Sequence, residues 1–560
     1  MLPRFLAAAD SALLVELGDE VSEAVSAAVL ALDARLAAAP PAGVVAVLPA
    51  LRSVLVEYDP LRTSHRRLRG DVEALLAHEP PHTANAAPRE HSIAVRYGGE
   101  DMAEVARACG LDASEVSRLH SGGEYRVAML GNLPGLPYLL GLDPRLETPR
   151  RQDPRDAVQA GSVAVVARMS CVYPVAGPGG WNVIGRTDAR LFDPLRSPPA
   201  LLAPGDVVRF VAVDSLAGDR ESADPGTNSR ASNGPALRVL EPGLLTTVQD
   251  AGRREHQRLG VPVCGALDAE LLRVANLLCG NPSGAAALEV THSGPLLEVR
   301  APSARIAVAG DCELTRIARN GTEARCASWR SMVLGEGERL RVGRVLGGLR
   351  CVVAVEGGVD VAPVLGSRST YLRGGFGGLR GRALRAGDEL PLQRAYAGHH
   401  PDVSLDAGTV RDAGLTADAG AGAPIRAVPG PQDDAVELDQ LLAAELRISP
   451  RSDRVGLRLD GARLRHRGAA EVISDGCAPG SIQVPGGGTP IVLLADRGTT
   501  GGYPKVATVA SADLPRLARL RPGDPLRLRA ITVEEAEALR RAREATLAQL
   551  AEALQPVASV

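Results

Sequence analysis

At 560 residues the chain is long enough for three to four domains, and 45% hydrophobic with 23% charged side chains is an ordinary globular composition. Wholesale disorder and collagen-like repetition are therefore excluded. A formal net charge of −3 excludes an electrostatic grip on nucleic acid as the main activity.

Aromatic residues make up only 2% of the chain, so Leu, Val, Ile and Ala must fill the cores. The start, MLPRFLAAADSALLVEL, is interrupted by Asp10 and Glu16 before a signal-peptide core can form. Residues 1–90 read as a small α/β domain: an apolar stretch near 11–17, a helical pattern over about 20–38, two strands around a turn at 43–58 and a helix near 64–77. Pro80, Pro81 and Pro88 mark a linker. From 91 to 213 the texture is short β segments broken by glycine and proline. Residues 214–236 are polar and aperiodic and read as an interdomain linker. Residues 237–531 are β-rich, interrupted by a stretch at 396–424 that reads as flexible. The end, 532–560, opens an amphipathic helix with a capping box from Thr532 to Glu535.

Two repeats suggest the architecture. A glycine turn leading into a strand recurs as APGDVVRF (203–210), GEGERLRV (335–342), RAGDELPL (385–392) and RPGDPLRL (521–528). A longer echo relates AGSVAVVARMSCVYPVAGPGGWNVIG (160–185) to PGSIQVPGGGTPIVLLADRGTTGGYPKVAT (479–508). Duplicated β-barrel-like units are expected, not a doubly wound sheet.

The eight cysteines are dispersed without a CxxC pair, which fits neither a zinc site nor a disulfide scaffold and points to a reducing cytoplasm. No uncharged run approaches the ~18 residues of a membrane span.

The 63 basic residues include a single lysine, Lys505. A lone ammonium among arginines marks a position that needs a compact charge in place of a planar fork. It lies in LLADRGTTGGYPKVATV (493–509), where a strand delivers Asp496 and Arg497 into a loop carrying Thr499, Thr500 and Tyr503. Such a loop offers backbone N–H groups to an anion. Lys505, Asp496 and His120 are the catalytic candidates. Arg497, Thr499, Thr500, Tyr503, Arg368, Ser369, Arg451, Arg454, Arg186 and Tyr138 are candidates for binding substrate or phosphate. Asp433, Asp434 and Asp453 are candidates for holding a metal.

At this density of motifs a family resemblance emerges. Residues 92–212 resemble the B subunit of bacterial 5-oxoprolinase, related to Kip-type kinase inhibitors and allophanate hydrolase subunit 1. The carriers are YGGE (97–100), the His120–Leu139 segment, TPR (148–150), AGSV (160–163), GPGGWNVIGRT (177–187) and PGDVVRF (204–210). Residues 239–530 resemble the carboxyltransferase-like C subunit through PGLLTTVQDAGR, GSRSTYLRGGFGGLRGRAL, GPQDDA, RSDRVGLRL, PGSIQVP and DRGTTGGYPKVATV. The resemblance implies a B/C fusion, mainly β with α+β parts and two cyclophilin-like barrels, the first of carboxyltransferase subdomain A/B type. It implies ATP with Mg2+, a separate A subunit, and ring opening of 5-oxo-L-proline to L-glutamate, with a homo-oligomer left open.

The family usually carries phenylalanines where Asn132 and Leu136 stand, a Gly-Gln-Thr run at Arg168-Met169-Ser170, a methionine at Leu267 and a glutamine at Gly498. Two alternatives remain. One is a carboxyltransferase acting on a urea-like amide with carboxybiotin; the only lysine has no methionine neighbours, so biotin is not bound covalently here. The other is a Kip-type module that binds a histidine kinase without catalysis.

Overall fold

In the strand Ala12–Glu16 every residue is buried, because the strand is covered on both faces. The strand lies in a four-stranded sheet with Arg4–Ala7, Ser53–Tyr58 and Val44–Pro49. Leu13, Val15, Val54 and Val56 face the helices Glu23–Ala38 and His65–Ala77. Ala12, Leu14, Leu48 and Leu55 point the other way, onto Ala478 of a distant segment. The computed structural model describes residues 2–77, 88–151, 153, 155–216, 234–416 and 422–557. Pro80, Pro81 and most of the expected 214–236 linker lie outside the described residues.

Seven strands between Glu90 and Ala212 close into a barrel. Glu90–Tyr97 runs parallel to Val207–Ala212, pairing Ile93 with Phe210. Ser162–Val166 is central: it pairs with Met169–Val172 on one side and Asn182–Arg186 on the other. The helices Met102–Cys109 and Ala113–Ser121 pack on the core through Met102, Val105, Val116 and Leu119.

The middle of the chain forms two sheets, of six and seven strands, whose inner faces interdigitate. Leu237, Val239, Leu297 and Leu340 of one sheet meet Leu288, Val290, Ile306 and Val353 of the other. Helix Ala269–Leu278 covers the outer face of the seven-stranded sheet. This sandwich is an additional β body that the two-barrel expectation did not separate.

The recurrent glycine turn has one construction at all four sites. Gly205, Gly337, Gly387 and Gly523 have φ between 76° and 93°. The following acid accepts a backbone N–H from three residues before it: Asp206 from Ala203, Glu338 from Gly335, Asp388 from Arg385 and Asp524 from Arg521. The acid closes the turn and the strand begins.

The last β body is an eight-stranded sheet that repeats the first barrel strand for strand. Ser481–Gln483 pairs with Ile491–Leu493 and Lys505–Val509, as Ser162–Val166 pairs with its two neighbours. Lys505–Val509 then pairs with Ile425–Pro429, which runs parallel to Leu528–Ala530. Pro525–Leu526 continues round to Leu446–Ile448, so one interrupted strand does the work of Val207–Ala212. The long sequence echo is thus a duplicated barrel.

Within 396–416, expected to be flexible, residues form a strand, Val403–Ser404, and a helix, Ala407–Asp412. Leu405, Val410, Ala413 and Leu415 bury against helix Ala269–Leu278, which fixes the segment; residues 417–421 lie outside the described residues. Helix Val533–Gln549 carries the capping box from Thr532 to Glu535. Its Glu537 accepts from the His65 amide at 2.7 Å, tying the end of the chain to the N-terminal domain. Among the described residues no helix is long and apolar enough to cross a membrane.

Candidate functional site

The duplication locates the lone lysine. Across the bulge of the first barrel Val183 pairs with Ala164; at the matching place in the second, Lys505 pairs with Gln483. The Gly-Gly-aromatic hairpins align as well, Gly179-Gly180-Trp181 with Gly501-Gly502-Tyr503. In the first barrel the position belongs to an apolar cluster with Trp181, Tyr138 and Val158. In the second it is polar and buried, so the two copies have diverged at one spot.

Lys505 is 1% exposed, and its Nζ donates to Oδ1 of Asp475, which is fully buried. Gln432 completes a triangle. Its Oε1 accepts from the Lys505 amide at 3.0 Å, and its Nε2 donates to Asp475 Oδ2 at 3.2 Å. The short pairing of Asp475-Gly476 with Thr500-Gly501 supports the carboxylate, and a Cβ at Gly476 would strike Leu55 at 2.5 Å. Burying an ion pair is costly unless the remaining donors and acceptors are satisfied; Gln432 does that for the second oxygen of Asp475 and fixes the backbone of Lys505 through its amide.

The hairpin preceding Lys505 is pressed against the first barrel. A Cβ at Gly131 would lie 2.3 Å from Thr500 Oγ1, and one at Gly498 would lie 2.6 Å from Asn132 Oδ1. Gly502 faces Arg150 and Ser474 at 3.1 and 3.3 Å by the same measure. Tyr138 is held edge-on to Trp181 at 5.5 Å, with its hydroxyl beside those of Ser474 and Thr500; burial pushes its phenol above the ordinary range. The hydroxyls of Thr499 and Thr500 are buried; among the described residues Thr499 has no side-chain hydrogen-bond partner, and Thr500 lies beside Tyr138. Arg150 is partly exposed, 3.6 Å from Glu471.

Arg497 knots three parts of the chain. Its Nε donates to the Cys477 carbonyl at 2.7 Å, and its Nη2 to Glu57 at 2.9 Å and Gln257 at 3.0 Å. Asp496 turns the opposite way. Both its oxygens accept from Arg454, at 3.0 and 3.1 Å, and Arg454 also contacts Glu289 and the Gly265 carbonyl. Burial raises the Asp496 carboxyl while Arg454 opposes the rise. Asp496, Arg454 and Arg497 are thus spent on holding the second barrel against its neighbours.

Other candidates lie elsewhere. His120 is a core residue of the first barrel: Nδ1 meets Tyr97 Oη at 2.7 Å, Nε2 meets Ser170 Oγ at 2.8 Å, and the ring stacks on Phe210. Burial lowers its pKa to about 3, so it is neutral and fully engaged. Arg186 is exposed and bonds Gln159, and Arg451 is exposed 4.0 Å from Asp460. Arg368 bonds Asp360 and the Val361 carbonyl, and Ser369 donates to Asp250 at 2.5 Å, in a separate loop. Asp433 and Asp434 are exposed on a 3-10 turn, and Asp453 caps the Val455 and Gly456 amides. Among the described residues no group of three or more His, Cys, Asp or Glu side chains is placed to hold a metal. Tyr503 contributes its carbonyl, 3.5 Å from Gln483 Nε2.

Asp475, Gln432, Ser474, Arg150 and Glu57 were missed. Asp475 and Ser474 sit in ISDGCAPG, which reads as a turn, and Gln432 is overshadowed by the two acids after it. One signal was available: a lysine at the head of an apolar strand requires a buried carboxylate.

The model of the carboxyltransferase domain, subdomain C and D, matches residues 3–202, and that of subdomain A and B matches residues 259–530. The first barrel therefore carries the C and D label, the reverse of the A/B expectation. The chain is 38% identical over 318 residues to the 5-oxoprolinase C subunit of Escherichia coli (strain K12), covering 56% of this chain and 97% of the relative. It is 38% identical over 217 residues to the 5-oxoprolinase B subunit of Bacillus subtilis (strain 168), covering 36% and 90%. The crystal structure of TTHA0988 superposes with a TM-score of 0.79 at 35% identity, covering 92% of this chain and 99% of that one. The B-subunit relative accounts for 36% of this chain and the C-subunit relative for 56%, so the chain belongs to the family of 5-oxoprolinase B and C subunits built from carboxyltransferase domains, the two fused in one polypeptide.

Proposed function

We propose that this chain supplies the B and C parts of an ATP-dependent 5-oxoprolinase and works in the cytoplasm with a separate A subunit. The observation that carries the reading is the buried Lys505–Asp475–Gln432 triangle, set where the hairpin of one half meets the other half. A lactam carbonyl is a poor electrophile. Transfer of the ATP γ-phosphoryl to its oxygen gives ADP and an activated ring; water then adds at that carbon, phosphate leaves and the C–N bond opens to L-glutamate. Such transfers depend mainly on positioning and charge neutralisation.

In this reading Lys505 supplies the fixed positive charge, held by Asp475, and the buried hydroxyls of Thr499 and Thr500 donate to the carbonyl oxygen as it gains charge. MgATP enters as co-substrate. Its magnesium would be carried largely by the phosphates and water, and no step is routed through the metal. The cytoplasmic assignment fits eight cysteines that are all free thiols.

The family's carboxyltransferase chemistry is the competing reading. The only lysine is buried in an ion pair, so a biotin would have to arrive on another polypeptide. Purified chain plus its cognate A subunit should hydrolyse ATP in response to 5-oxo-L-proline and release glutamate, and Lys505→Met should abolish the response. Consumption of free carboxybiotin with an amide acceptor, and no such ATP turnover, would replace this proposal with the second reading.

A further inference from the structure

Arg253, Arg497 and Lys505 are among the largest fully buried side chains. Two of them have a carboxylate: Arg497 has Glu57 and Lys505 has Asp475. Among the described residues Arg253 has none. Its Nε reaches the Val364 carbonyl at 3.4 Å, its Nη2 donates to the Ser369 carbonyl, and its Nη1 is buried with no partner. The remaining contact is aromatic, the guanidinium lying 5.3 Å from the Phe376 ring centroid. Asp250, three residues away, is already committed to the hydroxyls of Ser367 and Ser369 and the amides of Gly252 and Arg368.

Removing a cation from water without a counter-charge is strongly unfavourable, so this arrangement is half of an interaction. The surroundings are built around it. A Cβ on Gly377 would stand 2.8 Å from Nη2, and Gly377 has φ +72°. Cys264, next to the Val263 carbonyl that accepts from the Arg253 amide, holds φ +56°, and Leu365 holds φ +53°. Strained non-glycine backbone of this kind gathers at ligand sites. The cradle also lies at the contact of the two halves, since Tyr371 and Phe376 share a core with Phe192 and Leu191 of the first barrel.

We propose that Arg253 is an anion-binding residue whose Nη1 edge receives a small oxyanion, a carboxylate or a phosphate, in the cradle formed by residues 364–378. The guanidinium then gains the charge partner the protein does not supply, through charge-assisted hydrogen bonds. The inference does not rest on the ATP-dependent reaction, because the site is defined by this chain's own residues, without ATP or any second polypeptide.

The test is calorimetric titration of the full chain with L-5-oxoproline and, separately, sodium phosphate, at fixed ionic strength set with sodium chloride. Saturable binding of at least one anion is expected, weakened at least tenfold in Arg253→Met and partly retained in Arg253→Lys. Tighter binding of 5-oxoproline assigns the site to a carboxylate, and tighter binding of phosphate assigns it to a phosphoryl group. Absence of saturable binding in the wild type, or equal affinity in the methionine variant, overturns the proposal. If Arg253→Met does not fold, a wild-type crystal soaked in selenate decides: anomalous density within hydrogen-bond reach of Nη1 is expected, and an empty cradle in a crystal holding selenate elsewhere sinks the idea.

Discussion

Asn132 and Gly498 meet where the two barrels touch: a Cβ built on Gly498 would lie 2.6 Å from the Asn132 side-chain oxygen and 3.2 Å from its carbonyl. The resemblance drawn from the sequence implies phenylalanine at the first position and glutamine at the second. The departures are in contact, so they read as one coupled change. Asn132 holds φ +64°, a conformation that asparagine tolerates better than bulky residues do. Restoring the glutamine alone, Gly498→Gln, is expected to destabilise the chain by about 1–3 kcal/mol through overpacking. Adding Asn132→Gly should recover part of the loss. Urea midpoints of the four proteins of the cycle measure this, and strict additivity would show that the residues are not coupled.

The Lys505–Asp475 pair gives a sharper cycle. Removing one partner leaves a buried charge, so Lys505→Met and Asp475→Asn should each cost about 3–5 kcal/mol. The double variant Lys505→Met/Asp475→Asn should cost less than the sum, because no charge remains stranded. All three should lack 5-oxoproline-dependent ATP turnover when mixed with the cognate A subunit. A stable double variant that keeps turnover would show that the pair serves the fold and not the reaction.

Arg497 makes a different demand. Its contact with Glu57 and Gln257 reaches from the second barrel to the N-terminal sheet, so Glu57→Gln should strand a buried guanidinium and loosen that domain's attachment. Faster amide exchange in Ser53–Tyr58 than in the first barrel is the expected signature. Uniform acceleration over the whole chain would assign the loss to global stability instead.

The duplicated barrel was legible because its signals are local: Gly-Ser turns, an apolar strand and a Gly-Gly-aromatic hairpin at nearly equal spacing. Lys505 stood out because a single ammonium among arginines is visible by count. Its partners were not visible, since Asp475 and Gln432 reach it through pairings 30 and 73 residues apart in the chain. His120 misled for a related reason. A histidine beside Tyr125 in a glycine-containing segment looks like a loop residue, whereas it ends a helix whose buried face carries it into the core next to Phe210. The arginines nominated for binding substrate or phosphate lie in several loops. Sequence shows which loops are polar, but only the fold shows that Arg186 and Arg451 face outward.

The buried ring of His120 sets a pH dependence of stability. In the folded chain its pKa is lowered from 6.5 to about 3, because burial disfavours the imidazolium. The unfolded chain therefore binds one more proton than the folded one between those two values. Stability from this group is complete above pH 6.5 and is lost progressively as the pH falls toward 3, amounting to several kcal/mol over the window. His120→Gln removes the titrating ring while keeping a polar side chain near Tyr97 and Ser170. It should lower stability at pH ~7.5 and flatten the decline between the ordinary histidine pKa of about 6.5 and pH ~4.5. Urea titrations at half-unit intervals measure both slopes. Parallel slopes for wild type and variant would mean that another group carries the acid sensitivity.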